Sequence, residues 1–303
     1  MFAHPVMFSL RRATLKSGAR WRHAGAVALL AFSLLPAAAR TGAPAPGLTA
    51  EEIVRRAVER AERQHDSLLD AQFEATVVSR VESLGAGGQV TDTESALFVQ
   101  YPLQGALFDE MTEKDGRPLT EKEQRDERKR REKFLKEVRK RVEAGLHPQP
   151  EEDPGVRFNS ELMSRYTVDL TGEEEVNGRR CWVIAFTPKP GALPMRRRID
   201  PALNKSTGRL WIAQDDYGVA RLTFAMREPF QYWGGLLATI NDTEGRLEFE
   251  RVAAGVWRPT DFDLKLDLRI LMVKSIRRHI SKEWKDFRRA EAADAPRRPS
   301  SSS

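Results

Sequence analysis

A chain of 303 residues with 31% charged side chains and a single cysteine has no internal disulfide and is not a cysteine-stapled small domain. Its formal charge of +6 is concentrated at one end: no Asp or Glu precedes Glu51, whereas Arg11, Arg12, Lys16, Arg20 and Arg22 lie within the first 39 residues. Without that segment the net charge falls by five to +1, which removes the usual inference from a basic chain to a nucleic-acid partner.

In chain order, the first expectation is a targeting segment. The five basic residues form an n-region, Ala24 to Leu35 is an apolar core, and Pro36-Ala37-Ala38-Ala39 supplies the small residues of a cleavage site. At about twelve residues the core is too short for a permanent span, so residues 1–39 read as a cleaved signal peptide and the product as periplasmic. Arg11-Arg12-Ala13-Thr14-Leu15-Lys16 partly resembles a twin-arginine signal, with Thr14 in place of the favoured Phe. Residues 40–47 are a Pro/Gly/Ala linker.

A helix follows from Thr49, where Thr49 and Glu52 have capping-box spacing and Leu48 can staple to Ile53. Ile53, Val54, Ala57, Val58 and Ala61 give it an apolar stripe up to about Leu69, so it must dock on something apolar. Strands are expected over 73–81 and 95–101, split by the loop Gly85-Ala86-Gly87-Gly88. A second helix is expected over 120–144, with Thr120 and Glu123 as capping box and Gly145 as stop. Its first half is nearly all charge; only Phe134, Leu135, Val138 and Val142 offer a seam, so it should be a solvated insertion touching the body through its C-terminal half.

The rest reads as an antiparallel meander. Tyr166 to Leu170 and Cys181 to Thr187 turn at Asn177-Gly178, a two-residue hairpin signal. Residues 208–213 and 219–226 turn at Asp215-Asp216-Tyr217-Gly218, and 245–252 meets 256–271 across Ala253-Ala254-Gly255. Within that strand Phe262, Leu264, Leu266, Leu268 and Ile270 alternate strictly with charged residues, which a period of two alone sorts onto opposite faces. Such a strand belongs to an antiparallel sheet with one face in water. A last strand covers about 274–287, and residues 288–303 read as a disordered tail. About nine strands are too many for a flat sheet. The expected fold is mainly β (α+β): one domain over 48–287, a curved antiparallel half-barrel with the first helix on its concave face and the charged helix inserted.

Catalytic and metal chemistry is not announced. His65, His147 and His279 stand far apart in the chain, without ligand spacing. His65-Asp66-Ser67 are neighbours on a helix and cannot form a triad. Asp215-Asp216 falls where a turn favours Asp, and Glu173-Glu174-Glu175 precedes another turn. Gly234-Gly235 has neither a strand before it nor a phosphate-loop Lys after it. Cys181 sits in an apolar run and reads as a small buried residue. The expectation is a non-enzyme without catalytic residue, metal or cofactor.

Four short motifs, Tyr166-x-Val168-x-Leu170-x-Gly172, Val176-Asn177-Gly178-x-x-Cys181-Trp182-Val183-Ile184, Gly208-Arg209-Leu210-Trp211-Ile212 and Gly255-Val256-Trp257-x-Pro259, follow a leader and a capped amphipathic helix. Together they make residues 48–287 resemble the outer-membrane lipoprotein-sorting (LolA-like) superfamily of periplasmic proteins. The resemblance implies a half-barrel that holds acyl chains, hence a lipid or an acylated protein as partner. Alternation nominates Trp182, Ile184 and Phe186, Leu222, Phe224 and Met226, and Phe262, Leu264, Leu266 and Leu268 as lipid-binding residues of the concave face, although plain core packing is the simpler reading of any one of them. The alternative is an envelope scaffold whose half-barrel is filled by its own side chains and whose charged helix meets a cell-envelope protein. Neither reading involves nucleic acid or a transmembrane span after cleavage. N-terminal sequencing of the exported product is expected to begin near Arg40; an intact Met1 in a membrane fraction would contradict the leader.

Overall fold

A computed structural model describes residues 47–150, 156–197, 199–226, 228–232, 238–270 and 274–290. The expected signal peptide and nearly all of the linker, Gly234-Gly235, and the tail from residue 291 lie outside the described residues. Among those described, no helix is long and apolar enough to cross a membrane.

The first helix, α1, is Ala50–Asp66. It is followed by strands β1 (Phe73–Leu84), β2 (Val90–Leu103), β3 (Ala106–Lys114) and β4 (Arg117–Pro118), then by α2 (Glu121–Glu143) and the single turn α3 (Ser160–Met163). β5 (Tyr166–Val176) and β6 (Arg179–Pro188) precede another turn, α4 (Asp200–Leu203). The chain ends in β7 (Ser206–Ala213), β8 (Val219–Met226), β9 (Phe230–Tyr232), β10 (Ala238–Ala253), β11 (Val256–Ile270) and β12 (Lys274–Arg289). All strands join one antiparallel sheet in the order β4-β3-β2-β1-β12-β11-β10-β8-β7-β6-β5, with β9 attached to β10. The two ends do not meet, so the sheet is an open half-barrel.

Three hairpins share one turn chemistry. Gln104-Gly105, Asp115-Gly116 and Asn177-Gly178 have φ of 52° and 79°, 50° and 71°, and 50° and 73°, the left-handed pair that matches the twist of the flanking strands. The first two carry β3 and β4, which the alternation of the sequence does not announce. β9 and the turns α3 and α4 are likewise additions, and β10 begins seven residues before the expected start.

The face that carries α1, here the inner face, is apolar. Ile53, Val54, Ala57 and Val58 of α1 are buried against Tyr166, Ile184, Phe186, Leu210 and Ile212, placing the helix over β5 to β8. Glycines make room for rings there: a Cβ on Gly208 would lie 2.7 Å from the Phe186 ring, and one on Gly245 2.3 Å from the Phe224 ring. Further along, Ala75, Val77 and Trp284 form a second inner cluster with Phe98, Phe262 and Phe287 against them.

The outer face of the long strands is a charge ladder. Lys265 pairs with Glu244 at 2.7 Å, Arg277 with Asp267 at 2.7 Å and Arg221 with Glu248 at 2.9 Å. The ring of His279 lies between Asp263 (2.6 Å from Nε2) and Glu82 (3.1 Å from Nδ1). At the β2–β3 end the outer face is covered by α2. Phe134 of α2 meets Phe108 at 5.0 Å between ring centroids, Val138 is buried, Glu127 accepts from the Met111 amide at 3.0 Å, and Arg130 donates to the Asp109 carbonyl. Contact thus begins earlier than the apolar seam, at Glu123 with Arg117 of β4 and at Glu127 with β3, because β3 supplies backbone groups that charged side chains satisfy. The capping box of α2 is complete, with both Thr120 and Glu123 engaged. That of α1 is half made: Thr49 accepts from the Glu52 amide, but Glu52 turns to Arg55 and Arg56.

A buried polar network ties the layers together. Gln64 of α1 accepts from the Trp257 amide at 2.9 Å and donates to the Trp257 carbonyl at 2.9 Å, so one side chain stands in for a neighbouring strand at the start of β11. It also donates to Asp70. Arg258, 1% exposed, donates to the Asp70 carbonyl at 2.5 Å and to the Gln100 side chain, which in turn donates to Asp109 at 2.6 Å. Burial raises the Asp70 carboxyl pKa and lowers that of Arg258; each opposes the other's shift, because each favours its partner's charged form.

Arg258→Ala leaves buried Asp70 and Gln100 without their cation and should cost about 3–5 kcal/mol, read from chemical denaturation; a loss under about 1 kcal/mol would remove the network from the stability of the fold. The Asp263 bond, aided by Glu82, raises the His279 pKa above its ordinary value despite some burial. Its stabilisation is therefore full below the unfolded value of about 6.5 and lost as pH rises through the raised folded value. The melting-temperature gap between the parent and His279→Gln should shrink on going from pH 6 to pH 9, and a gap independent of pH would contradict the charged ring.

Candidate functional site

Between α1 and the inner face lies a cavity of about 300 Å³. Ala57 and Ala61 of α1 line one side, and Leu210, Val219, Leu222 and Phe249 from β7, β8 and β10 line the other. The helix contributes alanines where larger residues would close the gap. Trp257 closes one end, and its position is heavily determined. Its indole Nε1 donates to Asp216 at 2.9 Å, its backbone is held by Gln64, and the ring lies where a Cβ on Gly218 would be 2.0 Å away. The guanidiniums of Arg60 and Arg179 stand 5.8 and 5.7 Å from the ring centre.

The remaining wall is polar: Arg60, Glu62, Gln64, His65, Asp66, Arg157 and Asn159 surround the apolar floor. His65 stacks on His147 at 3.7 Å. His147 Nε2 donates to the His65 carbonyl at 3.0 Å while its Nδ1 accepts from the Gln149 amide at 3.2 Å, and Arg157 donates to His65 Nε2. Burial, His147 and Arg157 push the His65 pKa down to about 3, so this ring is neutral at any physiological pH. The pair ties the segment after α2 to the end of α1.

The ten nominated residues share one face, as the cross-strand register requires: Phe186 and Phe224 both lie opposite Gly208, and Gly245 joins Phe224 to Leu264. Ile184, Phe186 and Met226 are buried, while Trp182, Leu222 and Phe224 are half-buried against the α1 cluster. Phe262 reaches the cluster around Trp284; Leu264, Leu266 and Leu268 are half-buried. Of the ten, only Leu222 lines the cavity. Trp257, Phe249, Arg60 and Ala61 are cavity residues that alternation does not pick out, because they come together from three elements, α1, β10 and β11.

No group of three or more His, Cys, Asp or Glu among the described residues is arranged to hold a metal. Cys181 is buried, and burial pushes its thiol pKa up to about 11, so it is a protonated packing residue rather than a nucleophile. Asp216 is occupied structurally: burial opposes its charge, but bonds from Trp257 and Gly218 and the nearby Arg60 hold its carboxyl below the ordinary value.

No family model matches this chain, and no curated protein matches it. Solved structures similar to it include a LolA-superfamily protein from Nitrosomonas europaea, 13% identical over 81% of this chain and 96% of that one, with a TM-score of 0.27. A putative outer-membrane lipoprotein-sorting protein domain from Vibrio parahaemolyticus is 12% identical over 81% of this chain and 95% of that one, with a TM-score of 0.31. MucB is 14% identical over 77% of this chain and 92% of that one, with a TM-score of 0.26.

Proposed function

We propose that this chain is a non-enzymatic periplasmic protein that binds an acyl chain, presented by a free lipid or by a lipidated protein, in the cavity under α1. The observation that carries the reading is that cavity: about 300 Å³ between helix and sheet, with an apolar floor and a polar rim. Its size is at the small end of the range for ligand sites, about 300–1,000 Å³, which suits one hydrocarbon chain better than several. Tight packing of side chains is the norm in protein interiors, so a cavity floored by Leu210, Val219, Leu222 and Phe249 is what a ligand site would require. The sequence motifs of the sorting superfamily and the basic, alanine-ended leader support the same compartment and the same ligand class.

Filling the cavity tests this without burying a charge. Ala61→Phe, at a half-buried helix position facing the cavity, should weaken binding of the neutral probe N-phenyl-1-naphthylamine at least tenfold while leaving the melting temperature within a few degrees. Lys265→Ala on the outer face should leave binding unchanged. Equal probe affinity in the parent and Ala61→Phe, with both folded, would place any binding elsewhere.

A further inference from the structure

We propose that the ligand carries an oxyanion head, phosphate or carboxylate, and that Arg60, Arg63 and Arg251 hold it in a groove beside the cavity. The inference rests on the cavity being an acyl site and adds the class of molecule it takes.

The groove is lined by Arg60, Arg63, Gln64, Ser67, Leu69, Asp216, Arg251, Ala254 and Gly255. Arg60 and Gln64 also line the cavity, so these two side chains form the partition between an apolar space and a cationic one. Gln64 is fixed by the Trp257 backbone. Arg60 is held less firmly: its guanidinium stands by the Trp257 ring, Nη1 makes one long bond to Gln64 at 3.3 Å, and Nη2 is buried without a hydrogen-bond partner among the described residues. A buried guanidinium nitrogen with no acceptor is costly, and an oxyanion at the partition would supply one.

The charges in the groove point the same way. Three guanidinium groups line the groove with one carboxylate, Asp216, while Asp215 reaches Arg251 from beside it; Asp216 already accepts from Trp257 and from Gly218. Arg251 shares Asp215 and Asp216 at 3.2 and 3.4 Å. Arg63 is exposed and holds no ion pair among the described residues. The negative end of the α1 dipole explains one basic residue in its last turn, but not Arg60 a turn earlier nor Arg251 arriving from the β10–β11 hairpin. Guanidinium forks match phosphate and carboxylate oxygens in pairs, and the hydroxyl of Ser67 adds a further donor within the groove. An amphiphile with its chain in the cavity and its head in the groove satisfies both at once.

Calorimetric titration of the folded parent with dodecyl phosphate, dodecanol and inorganic phosphate tests this. Dodecyl phosphate should bind at least tenfold more tightly than dodecanol, with inorganic phosphate weaker than the ester by more than that. In Arg63→Gln/Arg251→Gln, two exposed positions whose folding is checked by a melt, the affinities for dodecyl phosphate and dodecanol should converge while that for dodecanol stays put. Dodecanol binding as tightly as the ester, or an advantage of the ester that survives the double substitution, would overturn the head-group proposal and leave the acyl site standing. Inorganic phosphate matching the ester would make the groove a free-anion site and also overturn it. Binding of neither alkyl ligand would remove the acyl site and the proposal together.

Discussion

One apolar sheet face that a single helix is too small to cover is the constraint on which the molecule is built. At about 1.5 Å per residue, the 17 residues of α1 span roughly 25 Å. Eleven strands in one path, about 4.8 Å apart, span roughly 48 Å. Even laid straight across the strands, the helix would shield about half of the inner face. Curvature brings the far strands toward the helix, and Phe262, Phe98 and Trp284 close over one another beyond it. The cavity forms where these two arrangements adjoin, at β7, β8, β10 and β11.

What keeps the helix in place is not apolar contact alone, which is non-directional. Gln64 reads the backbone of Trp257 from both sides, and Trp257 is locked in turn by Asp216 and by the missing side chain of Gly218. The next residue, Arg258, carries the connection to Asp70, Gln100 and Asp109 across β2 and β3. A second buried arginine does the same at the other edge. Arg165 pairs with Asp200 at 3.1 Å and Glu161 at 2.6 Å and donates to the Pro194 carbonyl and the Asn204 side chain, which fixes the segment between β6 and β7. Buried ion pairs are weak evidence for added stability; here their geometry specifies where the helix and the long loop sit, and so the shape of the space beneath them.

The sequence made the sheet legible where local chemistry and tertiary demand agree. The alternation from Phe262 to Ile270 is paired on both sides, to β10 and β12, and the helix starts at Thr49 and Thr120 lie where their caps require. β3 escaped because its sequence, ALFDEMTEK, is acidic and its apolar Phe108 meets α2 rather than a regular inner core. The signal was present in Asp115-Gly116, which has the same turn chemistry as Asn177-Gly178. The start of β10 escaped because Asn241, Asp242 and Glu244 break the period at an irregular register. The cavity was barely legible. Period-two reasoning finds a face, but a cavity depends on which positions of that face lack a neighbour, and that is decided by Ala57, Ala61 and the path of the helix. For the same reason Arg60, Arg63 and Arg251 have no meaning as a group until the turn of the β10–β11 hairpin is folded against the end of α1.

The space under α1 is proposed to be an occupied site and not a packing remainder. Native mass spectrometry of the protein expressed as the full chain and purified without detergent addresses it directly. A second species is expected, heavier than the bare chain by the mass of one single-chain amphiphile and restored on incubation with such a molecule after stripping. The mass of the bare chain alone, both as purified and after that incubation, would contradict it.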